Sequence, residues 1–454
     1  MTTPTLRWTS RAALRAAPLL LTAVAAATLA ACGGGGGGGL FGGDDEVYAD
    51  MYNGIGSTDT IPLRGRLVYE DESPPTDNLD TNAFAQISQD ELKNTSADVV
   101  LIDAAGTQYD LGASQTDDEG YFDLALDASS LGLTPGSYTL EVYHEMQKVG
   151  SSTVRLLDDT YDDVIVRSDV DQTYLNTDFM SSTGKLDLMR APATERDELP
   201  GMDEAYKALR AGDDGQRQRP ISFLSGSPRF FKRVLEGKMA IDGVPQDGLI
   251  LKPFKDIVAS DLADLNLDAI FEDLEEQIGY KITALLGLRL QVPPTTRELL
   301  MGDDTEADVV IYVLYHRFTS GELDVDGLMA ELDALSVAPF WKDQIATLAP
   351  QVATHMEGHP GPVQAIYINR TGRSGEEAFP VEDWIIDGLV VYHTGAWPFI
   401  LDQLEEDRVS LDGVDAVRAR LEELGATSDD LDALAAEAVA AGWLDQTTVD
   451  AAAP

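Results

Sequence analysis

The apolar run Val164-Ile165-Val166 leads through Arg167-Ser168 into Asp169-Val170-Asp171-Gln172-Thr173. A short β-branched run of this kind reads as a buried strand, so two acids immediately after it stand at a strand end. In an extended segment residues i and i+2 point the same way, so Asp169 and Asp171 can share one site while Val170 faces the sheet. One carboxylate can then act as a nucleophile and the other can handle a leaving-group proton. In a chain with 79 acids the pattern alone is close to chance, but it occurs once and follows a strand.

The surrounding composition narrows the setting. The chain has 454 residues, 44% of them hydrophobic, enough for two or three domains with cores of their own. Its formal charge is −47, which disfavours nucleic acid as a partner because that binding needs a basic surface. Arg7, Arg11 and Arg15 precede the apolar stretch from Ala16 to Ala31, and Leu29-Ala30-Ala31-Cys32 follows the pattern of a lipoprotein signal peptide. Cys32 is the sole cysteine, so no intramolecular disulfide forms, and a lipid-carrying thiol explains why one exists. The expected organisation begins with a signal peptide over 1–31 and a glycine-rich tether over 32–60. The partner is then a phospholipid membrane reached through lipidated Cys32; Gly33 after the cysteine resembles lipoproteins sorted to a bacterial outer membrane.

From residue 61 to 157 short alternating strands separated by turns predict an all-β sandwich, at Leu63 to Tyr69, Ala97 to Asp103, Tyr121 to Leu126, Ser137 to Tyr143 and Ser152 to Leu156. Its Asp117-Asp118-Glu119-Gly120 turn resembles those of transthyretin-like sandwiches and reads as a solvated turn in preference to a calcium site. Beyond Asp163 strands alternate with helices, the texture of an α/β domain with a mainly parallel sheet, expected over 160–400. Helices are expected at Met202 to Arg210, Phe230 to Gly237, Ala259 to Leu286 and Val325 to Leu335. Residues 312–356 read as an insertion, and 401–454 as a helical tail whose Thr427 or Ser428 caps a helix.

Four pieces of the second half fit one phosphoryl-transfer site in order. The first is Asp169 and Asp171, with Thr173 able to support the loop and hydrogen-bond the nucleophile. Phe223-Leu224-Ser225-Gly226-Ser227-Pro228 ends a strand in a small-residue turn whose Ser225 hydroxyl and backbone amides can hold phosphoryl oxygens, with Ser227 in support. Lys281 can neutralise charge on the phosphoryl group and nucleophile. Gly302-Asp303-Asp304-Thr305-Glu306-Ala307-Asp308 brings carboxylates to a strand end, where they can hold Mg²⁺.

In this order the pieces resemble the four motifs of the haloacid dehalogenase superfamily. The residues between them are similar to its actin-patch-protein-type phosphatidate phosphatase branch, as in Pro200-Gly201-Met202 with Tyr206, Ser225-Gly226-Ser227-Pro228, Gly243-Val244-Pro245 and Ala365-Ile366-Tyr367-Ile368-Asn369-Arg370. The resemblance implies a three-layer, Rossmannoid haloacid dehalogenase-like α/β domain with extra C-terminal helices. It also implies a Mg²⁺-dependent phosphatase in which Asp169 attacks phosphorus to give an aspartyl-phosphate. Asp171 would be the acid and base, and Mg²⁺ would lie on Asp169, the Asp171 carbonyl, and Asp303 or Asp308. Gln172 replaces the family's usual Asp, and Asp304-Thr305 replaces Ser-Gly, adding a third carboxylate.

Phosphatidate or a related anionic lipid phosphate is the expected substrate. The competing expectations are a soluble phosphomonoester and a non-catalytic binding lipoprotein with a degenerate phosphatase fold. Arg229, Lys232, Arg233, Lys238, Lys252 and Lys255 form the one basic stretch, expected either to receive a lipid headgroup or to be scattered solvated cations. His355 and His359, four apart at a helix end, are a weak metal pair.

Overall fold

The structure is a computed structural model, and the residues it describes are 46–70, 83, 90–177, 188–253, 277–371 and 384–452. The expected signal peptide, Cys32 and Lys255 lie outside them. Among the described residues no helix is long and apolar enough to cross a membrane.

The first half is two sheets. One has the order β1-β3-β6, built from β1 (Glu46–Met51), β3 (Thr60–Glu70) and β6 (Tyr121–Asp127), all antiparallel. The other has the order β2-β8-β7-β4-β5, from β2 (Gly54–Ser57), β4 (Ser96–Ile102), β5 (Gln108–Gln115), β7 (Gly136–His144) and β8 (Gln147–Leu157). Alternate residues such as Ile61, Leu63, Val99, Leu101, Leu140 and Val142 share one buried cluster, as period-two patterning requires. The strands start at Glu46, so the expected tether to residue 60 is corrected: its last part supplies β1 and β2. Asp117 Oδ1 accepts from the backbone amides of Glu119 and Tyr121 at 2.9 and 2.8 Å, which makes that segment a side-chain-braced turn.

The second half carries a six-stranded, wholly parallel sheet of β9 (Val164–Ser168), β10 (Ile221–Pro228), β11 (Gly248–Lys252), β12 (Arg297–Asp303), β13 (Val363–Asn369) and β14 (Val390–His393). Its order is β11-β10-β9-β12-β13-β14, which reverses between β9 and β12. Numbered within the domain this is the doubly wound order, and ligands lie outside the strand ends at such a reversal. Helices α1 (Met202–Ala211), α2 (Lys232–Asp242), α3 (Gln277–Gln291), α4 (Asp308–Thr319), α5 (Val325–Ala334) and α6 (Pro339–His355) cover the sheet. The expected helix over 259–286 is described only from Gln277, and it runs on to Gln291. The expected insertion over 312–356 is the crossover from β12 to β13. Its helix α4 belongs to the fold, α6 packs on α3, where Trp341 lies against Gly279, and α5 packs on α6 and α4.

A domain boundary at residue 400 is also corrected, because α7 (Ala396–Glu405) spans it. With α8 (Leu411–Glu423), α9 (Ser428–Ala440) and α10 (Gln446–Ala451), it completes the core on one face of β9. Leu401, Val414, Val417 and Leu431 share a cluster with Val164, Val166 and Tyr206. Thr427 caps α9 in a capping box with Asp430.

The basic stretch is internal. Lys232 Nζ lies 2.8 Å from Asp50 and 2.7 Å from Glu236, and Arg233 Nε lies 3.4 Å from Asp50. Arg229 pairs with Asp123 at 2.7 Å, and Lys238 with Glu198 and Asp242 at 2.7 and 2.8 Å. Lys252 is buried. These cations therefore do not form an exposed headgroup-binding face or a solvated scatter. Arg229, Lys232 and Arg233 dock α2 and the turn before it onto the carboxylates of β1 and β6, and the ring of Tyr52 lies 4.8 Å from Lys232 Nζ.

Candidate active site

Register sets the site. Met301 pairs with Ser168 and Phe223 pairs with Ser168 from the other side, so the end of β9 lies level with these two residues and β10 and β12 run on past it. The Asp169 amide donates to the Met301 carbonyl at 2.8 Å, holding the chain to β12 one residue past the strand. The chain then turns. Tyr174 and Leu175 amides donate to the Val170 carbonyl at 2.8 Å, and Gln172 takes a left-handed φ of 55°. Asn369, at the end of β13, donates to the Gln172 carbonyl at 2.7 Å and pins this turn. Beneath it Tyr206 and Ser168 hydroxyls meet at 2.6 Å, and Ser168 donates to the Asp169 carbonyl at 2.7 Å.

Lys281 reaches in from α3, wholly buried, with Nζ 2.8 Å from Asp169, 3.0 Å from Glu306 and 2.6 Å from Asp308. Burial would strip its proton, but Asp169, Asp308 and Glu306 outweigh that and hold its pKa well above the usual lysine range. Asp169 is pushed well above the carboxylate range by burial, with Lys281 opposing and Asp308 and Glu306 adding to the rise. Asp303 is raised by burial and by Glu306 and Asp308. Burial is also the main cause of the rise of Asp308 and Asp171, each to about 6.

Asp171 faces the other side of the site. Its Oδ2 accepts from Ser225 at 3.3 Å and from Ser227 at 3.2 Å, while the Ser227 amide donates to Ser225 Oγ at 2.9 Å. The turn expected to hold phosphoryl oxygens thus braces the second aspartate. A Cβ at Gly226 would stand 2.2 Å from the Gln277 amide group, so a side chain here requires Gln277 to move. Thr173 is buried, and its hydroxyl has no hydrogen-bond partner among the described residues, so it does not support the nucleophile as expected.

In the acidic loop Asp303 Oδ1 accepts from the Thr305 amide at 2.6 Å and from the Glu306 amide at 3.2 Å. Asp304 turns away and accepts from the Thr371 amide and hydroxyl at 3.0 and 2.8 Å. Among the described residues Asp169, Asp303, Glu306 and Asp308 form a group whose oxygens lie within 4.8 Å of one another. Neither the Asp171 carboxylate nor the pair His355 and His359 belongs to it. Two observations fit this group to a metal ion. Asp169 Oδ2 and Asp303 Oδ2 are buried without a partner, and a lone ammonium faces more carboxylates than it can neutralise.

Residues 164–322 match the family model for the phosphatidate phosphatase APP1 catalytic domain. This stretch is similar to an APP1-type catalytic domain. The match supports phosphatase activity in general, and it ends inside the β12 to β13 crossover, short of β13, β14 and the last four helices. No curated protein matches the chain. Among solved structures, the chain spans 41% of a glycosyl hydrolase family 2 member from Bacteroides cellulosilyticus, with 79% of its own residues covered, 7% identity and a TM-score of 0.22. A polysaccharide deacetylase from Bacillus cereus gives 7% identity over 76% of this chain and 95% of that one, with a TM-score of 0.16. At such scores neither likeness bears on fold or chemistry.

Within the matched stretch the structure brings Asp169, Lys281, Asp303 and Asp308 together, and Asp171 with Ser225 and Ser227. Glu306 was not among the expected ligands, although its place three residues after Asp303, just before a helix, was a readable signal. The Tyr206 to Ser168 contact that steadies the Asp169 carbonyl had no such signal.

Proposed function

We propose that the protein is a Mg²⁺-dependent phosphomonoesterase that works through Asp169, with phosphatidate or a related lipid phosphate as substrate. The observation that carries this reading is the pairing of two buried aspartates with different neighbours. Asp169 has one oxygen on Lys281 and the other free, and Asp171 is held 3.2 to 3.3 Å from two serine hydroxyls. The finer fold assignments, a haloacid dehalogenase-like domain behind a transthyretin-like sandwich, go with the same reading.

In the first step an Asp169 oxygen bonds to phosphorus as the phosphorus to ester-oxygen bond breaks, and Asp171 gives its proton to the departing alkoxide. Asp171, now a carboxylate, takes a proton from water as that water attacks phosphorus. The acyl-phosphate bond breaks, releasing inorganic phosphate and Asp169. A carboxyl with a pKa raised to about 6 can serve in both directions near neutral pH. Asp169, Asp303, Asp308 and Glu306 would hold the metal. When bound it would offset phosphoryl charge that Lys281 alone cannot, and an all-oxygen donor set suits Mg²⁺. Lipidation of Cys32 would keep the enzyme beside its substrate at the outer membrane of a bacterium.

Phosphate release from phosphatidate in mixed micelles and from a water-soluble ester tests the proposal. Hydrolysis should require Mg²⁺, stop with chelator and vanish in Asp169→Asn. Preference for the soluble ester would replace the lipid substrate. No release from either would favour a binding protein.

A further inference from the structure

Arg196 lies in the chain between Asp171 and α1. It is 8% exposed, and its Nη2 donates to the carbonyls of Leu188 at 2.7 Å and Ala191 at 3.4 Å. The guanidinium lies 5.3 Å from the ring centre of Phe231, which closes the turn Arg229–Phe231 immediately after Ser225-Gly226-Ser227-Pro228. The next residues pair with the loop that carries Asp171, the Asp197 carbonyl accepting from the Asn176 amide at 3.0 Å and Glu198 bridging Leu175, so the cation is held between that loop and the turn that follows Ser227. No described carboxylate pairs with it, and its Nε is buried without a partner. Burial lowers its pKa to about 10 and Asp171, the acid in its field, opposes the fall, so it is charged at neutral pH.

The charge balance gives this cation a role. Lys281 already faces Asp169, Glu306 and Asp308, and Asp171 and Asp303 bring the carboxylates to five. With all five ionised, one ammonium and one divalent ion leave the site negative by about two charges, which repels a phosphate dianion. Arginine's planar fork suits phosphate oxygens, and a guanidinium already ordered by two carbonyls and a ring loses little freedom on binding.

We propose that Arg196 is an anion-binding residue of this site, donating from Nε to a phosphoryl oxygen of the substrate. The proposal rests on the phosphatase reading only in naming a phosphomonoester as that anion. It is tested with the full chain in Mg²⁺ by calorimetric titration of inorganic phosphate, without turnover. Arg196→Ala should weaken phosphate binding at least tenfold, and Arg196→Lys should recover part of it, with unchanged circular dichroism. If the alanine variant does not fold, Arg196→Gln keeps the stem over Phe231 and an amide donor for the Leu188 carbonyl, and should show the same loss.

Affinity within twofold of wild type in a folded Arg196→Ala or Arg196→Gln variant overturns the proposal, as does a wild-type chain that takes up no phosphate. A wild type that binds phosphate through Arg196 yet hydrolyses no ester leaves this inference standing and sinks the enzyme. A working phosphatase whose phosphate affinity ignores Arg196 does the reverse.

Discussion

Replacing Asp50 with alanine should destabilise the protein far more than its place near the start of the described chain implies. Asp50 Oδ1 is 2.8 Å from Lys232 Nζ and Oδ2 is 3.4 Å from Arg233 Nε. The Lys232 side chain is only 5% exposed, so its ammonium cannot turn to water without opening the seam. Burial pushes the Asp50 carboxyl up, and Lys232 and Arg233 outweigh it, which marks a charge the fold depends on. Breaking a buried pair by removing one partner costs about 3–5 kcal/mol. Lys232 keeps Glu236 at 2.7 Å, so the expected loss for Asp50→Ala is about 2–3 kcal/mol.

An internal control is Asp333→Ala, which breaks the pair of Lys342 with a carboxylate 66% exposed and should cost about 0–1 kcal/mol. Urea unfolding of the full chain reads both, as a shift of midpoint at constant slope. Should Asp50→Ala lose no more than Asp333→Ala, the claim that the two halves are locked by buried charge fails.

Two further outcomes are expected. Gly302→Ala would put a Cβ 2.3 Å from Asp308 Oδ2 and 2.7 Å from its Cβ, displacing a metal-group carboxylate; phosphate release should fall at least tenfold, and near-wild-type activity would refute the packing argument. His393, 3% exposed, has its pKa lowered by burial from 6.5 to about 4, so it folds neutral and favours the native state above pH 6.5. That contribution should drain away as the pH falls from 6.5 towards 4, by about 3 kcal/mol at the end. His393→Gln should flatten this part of the stability profile, and an unchanged profile would mean another group titrates.

Asp169, Ser225 and Asp303 were legible because each sits at a strand end with a local signature. An apolar run precedes Asp169, a Ser-Gly-Ser turn follows Phe223-Leu224, and Gly302-Asp303 follows Leu299-Leu300-Met301. Lys281 has no local signature, and only its order relative to the other motifs pointed to it. What could not be read was pairing across the fold. Lys232 and Arg233 look solvated until β1 arrives with Asp50, and Asp304 looks like a ligand until Thr371 takes it. Strands β1 and β2 escaped notice because they follow a glycine-rich run, and β5 because its residues are mostly polar.

Internalising the basic stretch also sets how the molecule meets a charged surface. With a formal charge of −47 and those cations spent inside, the exterior repels an anionic bilayer. Polybasic proteins leave such bilayers as ionic strength rises, whereas here added salt shortens a repulsion whose reach is about 10 Å at 0.1 M.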